Sequence, residues 1–228
     1  MQFGPVPIKK AEGAILAHST RLQGRILKKG HLLTKDDISL FSAEGLEQVT
    51  VARLEINDVP ENEAATLITK ILAGKNIKAS NAFTGRCNLI SENNGLLLLD
   101  QEKLNTINLI DEAVTIATSE RYGLTTTGQL VATIKIIPFS IPKSVLNRVT
   151  KVVAKEPLIS VAPFQNKTLG LIMTRLPGMK ETILDKTLEV TKRRFDEFNG
   201  KITKEIRCQH SEPEVIRSIK SMIKDNCD

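Results

Sequence analysis

The chain of 228 residues has no tryptophan and one tyrosine, so aromatic platforms on which single-stranded nucleic acid could stack are scarce. No arginine-rich arm and no aromatic RNA-binding motif occur either, and nucleic acid is not an expected partner. The three cysteines, Cys87, Cys208 and Cys227, are widely separated and form no CxxC pair. Neither a zinc site nor a disulfide framework is suggested, which fits a reduced, cytoplasmic setting. The opening MQFGPVPIKK lacks a charged-then-apolar leader pattern. No apolar run approaches the ~20 residues needed to span a bilayer, so no membrane partner is expected. Three histidines are present, without a second ligand at close spacing for His18 or His31, and no metal site is assigned.

What is present is ordinary for a globular protein: 41% hydrophobic and 25% charged residues, with a net charge of +6. The basic excess suits an anionic partner, but the two signs are interspersed.

The first segment reads as a compact β-rich unit. Ala14–Ala17 suggests a strand, Gly24–Gly30 a basic hairpin-like stretch, and Gln48–Leu54 a second strand by alternation. Between them Thr34 is a good N-cap for a helix over Lys35–Ala43, with Asp36 and Asp37 favouring the helix dipole and Gly45 in place to end it. Pro60 starts a second helix whose stripe is Ala64, Ala65, Leu67, Ile68, Ile71 and Leu72, closed at Gly74. Leu96–Leu99 reads as a buried strand or a helix start. Residues 103–118 could be helical, through Leu104, Ile107, Ile110 and Val114. Val131–Ile137 reads as a strand stopped by Pro138, and Ser144–Ala154 as a short helix.

After a strand at 158–162, Gln165–Lys167 marks a boundary, and the grammar becomes strand, helix, strand, helix. Leu169–Met173 is the first strand, and a helix over Met179–Asn199 follows. Lys201–Cys208 is the second strand. Ser211-Glu212-Pro213-Glu214 reads as a capping box before the last helix. The fold class expected is therefore α/β and α+β, multidomain. A β-rich unit (1–60) and a mixed α+β region (61–165) precede the first half, β-α-β-α, of a parallel α/β domain (166–228). A two-stranded parallel sheet has two open edges. The natural protein is expected to continue, or this half-unit to pack on other parts or on a second chain, a homodimer included.

Two turns carry groups suited to anions. Thr174–Lys180 offers a hydroxyl, the Arg175 fork, the Lys180 ammonium, helix N-terminal N–H groups and close approach at Gly178. It is either a cradle or an ordinary connection. Asp185, about two turns into the helix, could serve a metal, pair with Lys186 or face solvent. In Thr84-Gly85-Arg86-Cys87-Asn88, Thr84, Gly85, Arg86 and Asn88 suit a turn that holds a polar or anionic group, or one in which Arg86 pins a loop. The Lys192-Arg193-Arg194 run is explained by a helix C-terminus.

Several phrases occur together and in order: Ala11-Glu12-Gly13-Ala14-Ile15-Leu16-Ala17-His18, Lys28-Lys29-Gly30, Val49–Leu54, Thr84–Leu89, Val131–Phe139, and Thr174-Arg175-Leu176-Pro177 with Leu184-Asp185-Lys186-Thr187. Over nearly the whole chain this order resembles a bacterial family of molybdopterin-binding proteins related to the MoeA-type molybdopterin molybdotransferases of molybdenum cofactor biosynthesis. The resemblance implies a C-terminal α/β domain, beginning near Thr168, that binds molybdopterin or its nucleotide through the phosphate. Thr174, Arg175, Gly178, Lys180 and Asp185 would be its binding residues here. It also implies a continuation with a Gly- and Ser/Ala-rich turn completing the site. Adenylyl or molybdate transfer would be the chemistry, with catalytic residues unassigned. The acidic residue of the transferases' Thr-Gly-Asp-Glu-type turn has no counterpart at Thr174–Pro177. That speaks against metal-dependent insertion of molybdate, and Mg has no supporting residues either. The other reading is a non-catalytic carrier or docking module for a molybdoenzyme or another cofactor-biosynthesis protein.

Overall fold

In a computed structural model, which describes residues 1–22 and 24–227, the chain is a mixed α/β protein with six α-helices among the described residues and several small sheets. The N-terminal part runs β1 (Gln2–Pro7), one turn of 3-10 helix (Ile8–Lys10), β2 (Ile15–Leu16), β3 (Thr20–Leu22), β4 (Arg25–Leu27), α1 (Lys35–Ala43) and β5 (Gln48–Arg53). β5 is the centre of an antiparallel sheet ordered β1-β5-β2, and β3 and β4 form a hairpin. β5 buries both faces. Val49 and Val51 join Ile8, Leu16, Leu27, Leu33 and Phe41 in one core, while Ala52 packs with Ala17 and Phe139.

Helix α1 starts as its sequence demands. The Thr34 side chain accepts the Asp37 N–H, and the Asp37 carboxylate accepts from the Thr34 N–H (2.9 Å) and hydroxyl (2.8 Å) and from His31 Nε2 (2.7 Å). Burial alone would push the Asp37 carboxyl up. The Thr34 backbone N–H, then His31 and the Thr34 hydroxyl, outweigh it and bring the carboxyl to about 2.

The middle part contains β6 (Asp58–Pro60), α2 (Glu61–Leu72), β7 (Ile77–Ala79), β8 (Arg86–Ser91), β9 (Gly95–Leu99), α3 (Gln101–Asn108), β10 (Val114–Thr118), β11 (Leu124–Thr125), β12 (Leu130–Ile136), β13 (Ser140–Pro142), α4 (Lys143–Val153) and β14 (Ile159–Pro163). Its antiparallel sheets are β10-β12-β8-β7, β11-β9-β14 and the pair β13-β6. The core gathers Ala64, Ala65, Ile68 and Leu72 of α2, Leu89 of β8, Leu97 of β9, Ile134 and Ile136 of β12, and Val145, Val149 and Val153 of α4. Leu67, expected in the stripe of α2, is 40% exposed.

Alternation along β8 and β12 sends Cys87, Leu89, Ile134 and Ile136 inward and leaves Arg86 and Lys135 exposed on the outer face. Leu96–Leu99 lies in a strand, at the centre of its sheet. Residues 103–118 are not one helix: α3 ends at Asn108 and β10 is a strand. The Asn108 amide explains the break. Its Oδ1 accepts the Ile116 N–H (2.8 Å) and its Nδ2 donates to the Ile116 carbonyl (2.9 Å), mimicking a paired strand. The Asp111 carbonyl and carboxylate accept from Val114 and Ala113 and turn the chain between them.

The C-terminal part is β15 (Lys167–Arg175), α5 (Glu181–Asp196), β16 (Gly200–Gln209) and α6 (Glu212–Lys224). β15 and β16 are parallel, with Thr174 opposite Cys208 and Arg175 opposite Gln209. Helix α5 is shorter at both ends than the Met179–Asn199 pattern, and of its residues only Leu184 is buried. Met173, Leu184, Cys208 and Met222 are buried here, while Ile183, Ile216, Ile219 and Ile223 are exposed. The capping box at Ser211 does not form. Ser211 is the N-cap of α6 but its side chain makes no capping bond, its own N–H donates to the Gln209 carbonyl (2.8 Å), and the Glu214 carboxylate that would reach back to it is paired with Arg217. Phe164 joins this part to the middle one through an edge contact with Phe198 (5.1 Å) and a bond from Asn199 Nδ2 to its carbonyl (3.2 Å).

Candidate functional site

Thr174 and Arg175, expected in the turn, are the last residues of β15, because they pair with Cys208 and Gln209; since β15 and β16 are parallel, these strand ends, the turn over Leu176–Lys180 and the N-termini of α5 and α6 all lie at one end of the unit. This is where α/β proteins bind ligands. Gly178 has φ +79°, a conformation that favours glycine, and Lys180 is the N-cap of α5 without a side-chain capping bond. The Thr174 hydroxyl is hydrogen-bonded to His210 Nδ1 (3.0 Å). A cleft of about 250 Å³ between β15 and α6 is lined by Thr174, His210, Ser211, Glu212, Val215 and Ile216.

Arg175 and Asp185 are committed elsewhere. Arg175 forks onto Glu181, Nε to Oε1 (2.6 Å) and Nη2 to Oε2 (3.2 Å), and its Nη1 donates to the Arg207 carbonyl (3.2 Å). Arg207 then reaches Glu181 (2.8 Å), Asp185 (2.8 Å) and Glu205 (2.5 Å). The hydrogen bonds from Arg175 and Arg207 hold the Glu181 carboxyl below the usual range, and the carboxylates of Glu181, Glu205 and Asp185 raise Arg207 further. Two guanidiniums against three carboxylates leave this network without surplus positive charge. The groups left for an anion are Thr174, His210, Lys180, the Gly178 backbone and the α5 N-terminus. Arg207 and His210 were not among the expected site residues. Strand alternation in Lys201–Cys208 was the signal for Arg207, but its partners lie on α5.

The second expected group sits on the middle sheet. Phe83-Thr84-Gly85-Arg86 is a two-residue hairpin turn in which Phe83 N–H donates to the Arg86 carbonyl (2.9 Å) and Arg86 N–H to that of Phe83 (3.0 Å). Thr84 (φ +47°) and Gly85 (φ +70°) are both left-handed, as such a turn requires. The Gly85 N–H donates to Asn62 Oδ1 (2.8 Å), and a Cβ on Gly85 would lie 2.6 Å from the Ile136 carbonyl oxygen. Glycine is therefore required there twice over. The turn borders an open cleft of about 520 Å³ lined by Lys29, Ser80, Asn81, Phe83, Thr84, Arg86, Asn88 and Lys135. Asn88 Oδ1 accepts from the Thr133 hydroxyl (3.0 Å), and Lys29 Nζ lies 5.0 Å from the Phe139 ring centroid. Behind the turn, burial pushes the Glu61 carboxyl up, and Lys29 pulls it the other way. Lys29 and Lys135 were not foreseen at this site; the outward register of Lys135 was readable, the approach of Lys29 was not.

A family described as a domain of unknown function (DUF8806) matches residues 5–53, the span of the β1-β5-β2 sheet and its helix. No curated protein and no solved structure matches the chain. Among the described residues, no group of three or more His, Cys, Asp or Glu side chains is placed to hold a metal ion. No helix among them is long and apolar enough to cross a membrane.

Proposed function

We propose that this chain binds a pterin phosphate of the molybdopterin type and serves the biosynthesis or delivery of the molybdenum cofactor in the cytoplasm. The observation that carries the reading is the parallel pairing of β15 with β16, which brings the Thr174–Lys180 turn and two helix N-termini to one end. An antiparallel pair would have separated them. The ordered resemblance along the chain supports the pterin as the ligand. The donor set suits a phosphate: Lys180 supplies a charge, Thr174 a hydroxyl, and Gly178 and the start of α5 backbone N–H groups. Arg175 acts in this scheme by fixing the turn through Glu181 rather than by touching the ligand. The protein's part is charge neutralisation and positioning of the bound pterin phosphate.

A specific observation favours a second reading, a non-catalytic carrier or docking module. Arg175 and Asp185, two of the five expected binding residues, are absorbed in the ion-pair network. Pterin fluorescence after oxidation, on protein purified from cells that make the cofactor, separates the two. The pterin reading expects pterin on the parent chain, with Thr174→Ala/Lys180→Gln lowering it by about tenfold, the scale of one charge-assisted contact. Pterin absent from the parent, with a molybdoenzyme co-purifying, supports the module.

A further inference from the structure

We infer that the outer face of the middle sheet is a second, separate site, built for a small ligand that joins phosphate to a planar ring. The register of β8 and β12 places Lys135 directly opposite Arg86. Like charges at opposed positions repel and destabilise a sheet, so such a pair is kept at a cost. Among the described residues neither side chain has a carboxylate within ion-pairing distance, in contrast to Arg175 and Arg207, whose carboxylates lie at 2.5–2.8 Å. Lys29, from the N-terminal part, brings a third cation to the same cleft and is steadied there over the Phe139 ring. No carboxylate lines the cleft. Glu61 lies behind the turn, against Gly85, and of the three cations its carboxylate acts on Lys29.

The rest of the lining matches the rest of such a ligand. Asn88 spends its Oδ1 on Thr133, which leaves its amide N–H groups as donors, and Ser80, Asn81 and Thr84 add polar groups. Phe83 is 77% exposed at the rim, where an aromatic side chain has no packing role. The hairpin turn fixes it beside Arg86, and Asn62 and the tight fit of Gly85 fix the turn. A ring stacked on Phe83 would leave its phosphates among Arg86, Lys135 and Lys29. The cleft volume lies within the roughly 300–1,000 Å³ usual for small-molecule sites. None of these residues belongs to the Thr174 turn, so this inference stands or falls independently of the pterin reading.

Calorimetric titration of the full chain at low salt with pyrophosphate, adenosine diphosphate and adenosine tests it. Both phosphate compounds should bind, the diphosphate more tightly, and adenosine only weakly. Arg86→Gln and Lys135→Gln should each weaken both by about tenfold or more, the scale of a lost charge-assisted contact. Phe83→Ala should weaken adenosine diphosphate about fivefold and leave pyrophosphate unchanged, because stacking alone is lost. The same losses should be seen in a Lys180→Gln background, where the phosphate contact of the other turn is removed. The melting temperature of Arg86→Gln should equal or exceed that of the parent, because a repulsion is removed, and this shows that lost binding is not lost folding. Three results overturn the inference: no binding of either phosphate compound at millimolar concentration, binding unchanged by Arg86→Gln and Lys135→Gln, or binding removed by Lys180→Gln. Equal loss of both ligands in Phe83→Ala overturns the planar-ring half.

Discussion

The middle and C-terminal parts are made of the same elements and handle them in opposite ways. In the middle part α2 presses fully buried residues such as Ile68 against a four-stranded sheet and α4 packs Val149 behind it against α2 and α3, yet that sheet leaves Arg86 and Lys135 facing each other without counterions. In the C-terminal part the apolar surface is poorly covered, with Ile216, Ile219 and Ile223 exposed, yet Arg175 and Arg207 at its strand ends are both paired with carboxylates. Stability and unspent charge are thus found together. A well-packed sheet can carry a repulsive pair on its outer face, whereas a two-stranded sheet with little burial has no such reserve.

The largest break in this comparison is expected from cavities. Ile68→Ala should cost about 3–4 kcal/mol and lower the main unfolding transition, as loss of a fully buried side chain does. Leu184→Ala, at a site backed by exposed neighbours that can close in, should cost about 2 kcal/mol. Hydrogen exchange should show that loss confined to residues 167–227, leaving protection in β8 and β12 unchanged. Acid comes next. The Asp37 carboxyl is held at about 2 in the folded protein, below the ordinary 3.8, so its contribution is present above pH 4 and is lost as pH falls from 4 through 2. The loss should reach about 2 kcal/mol, at 1.36 kcal/mol per pH unit, in urea titrations across that range. His31→Ala should shrink it.

A smaller effect is expected at Asn108. Its alanine variant leaves the Ile116 N–H and carbonyl without their partner and should cost about 1–2 kcal/mol in chemical denaturation. The smallest, and of opposite sign, is Arg86→Gln, which should stabilise by about 0.2–0.5 kcal/mol through relief of the cross-strand repulsion. If it destabilised instead, the pair would be structural and the contrast between the two parts would fail.

Much of the fold was legible because its signals are local. The Thr34–Asp37 cap, the Pro60 start of α2 and the Pro138 stop of β12 each act within a turn or a strand. The misreading over 103–118 came from a partner outside the window: Leu104, Ile107, Ile110 and Val114 have helical spacing, but the Asn108 amide and β12 recruit the second half as a strand. At Ser211 the box sequence is present, yet the Ser211 N–H donates to the Gln209 carbonyl and the Glu214 carboxylate pairs with Arg217, so the Glu214 half of the box is not made.

The candidate sites divide in the same way. From its residues alone the chain determined that a strand-to-helix turn precedes α5, though starting at Leu176 and not at Thr174, and that Thr84-Gly85 is a turn beside an arginine, because backbone preference and side-chain period are properties of neighbours along the chain. Only the tertiary structure decided that Glu181 and Arg207 would claim Arg175 and Asp185, and that Lys29, Arg86 and Lys135 would meet at one cleft without a carboxylate in its lining. Whether a charge is neutralised or left for a ligand depends on distances of a few ångströms between segments far apart in sequence, and those distances exist only once the sheets have paired.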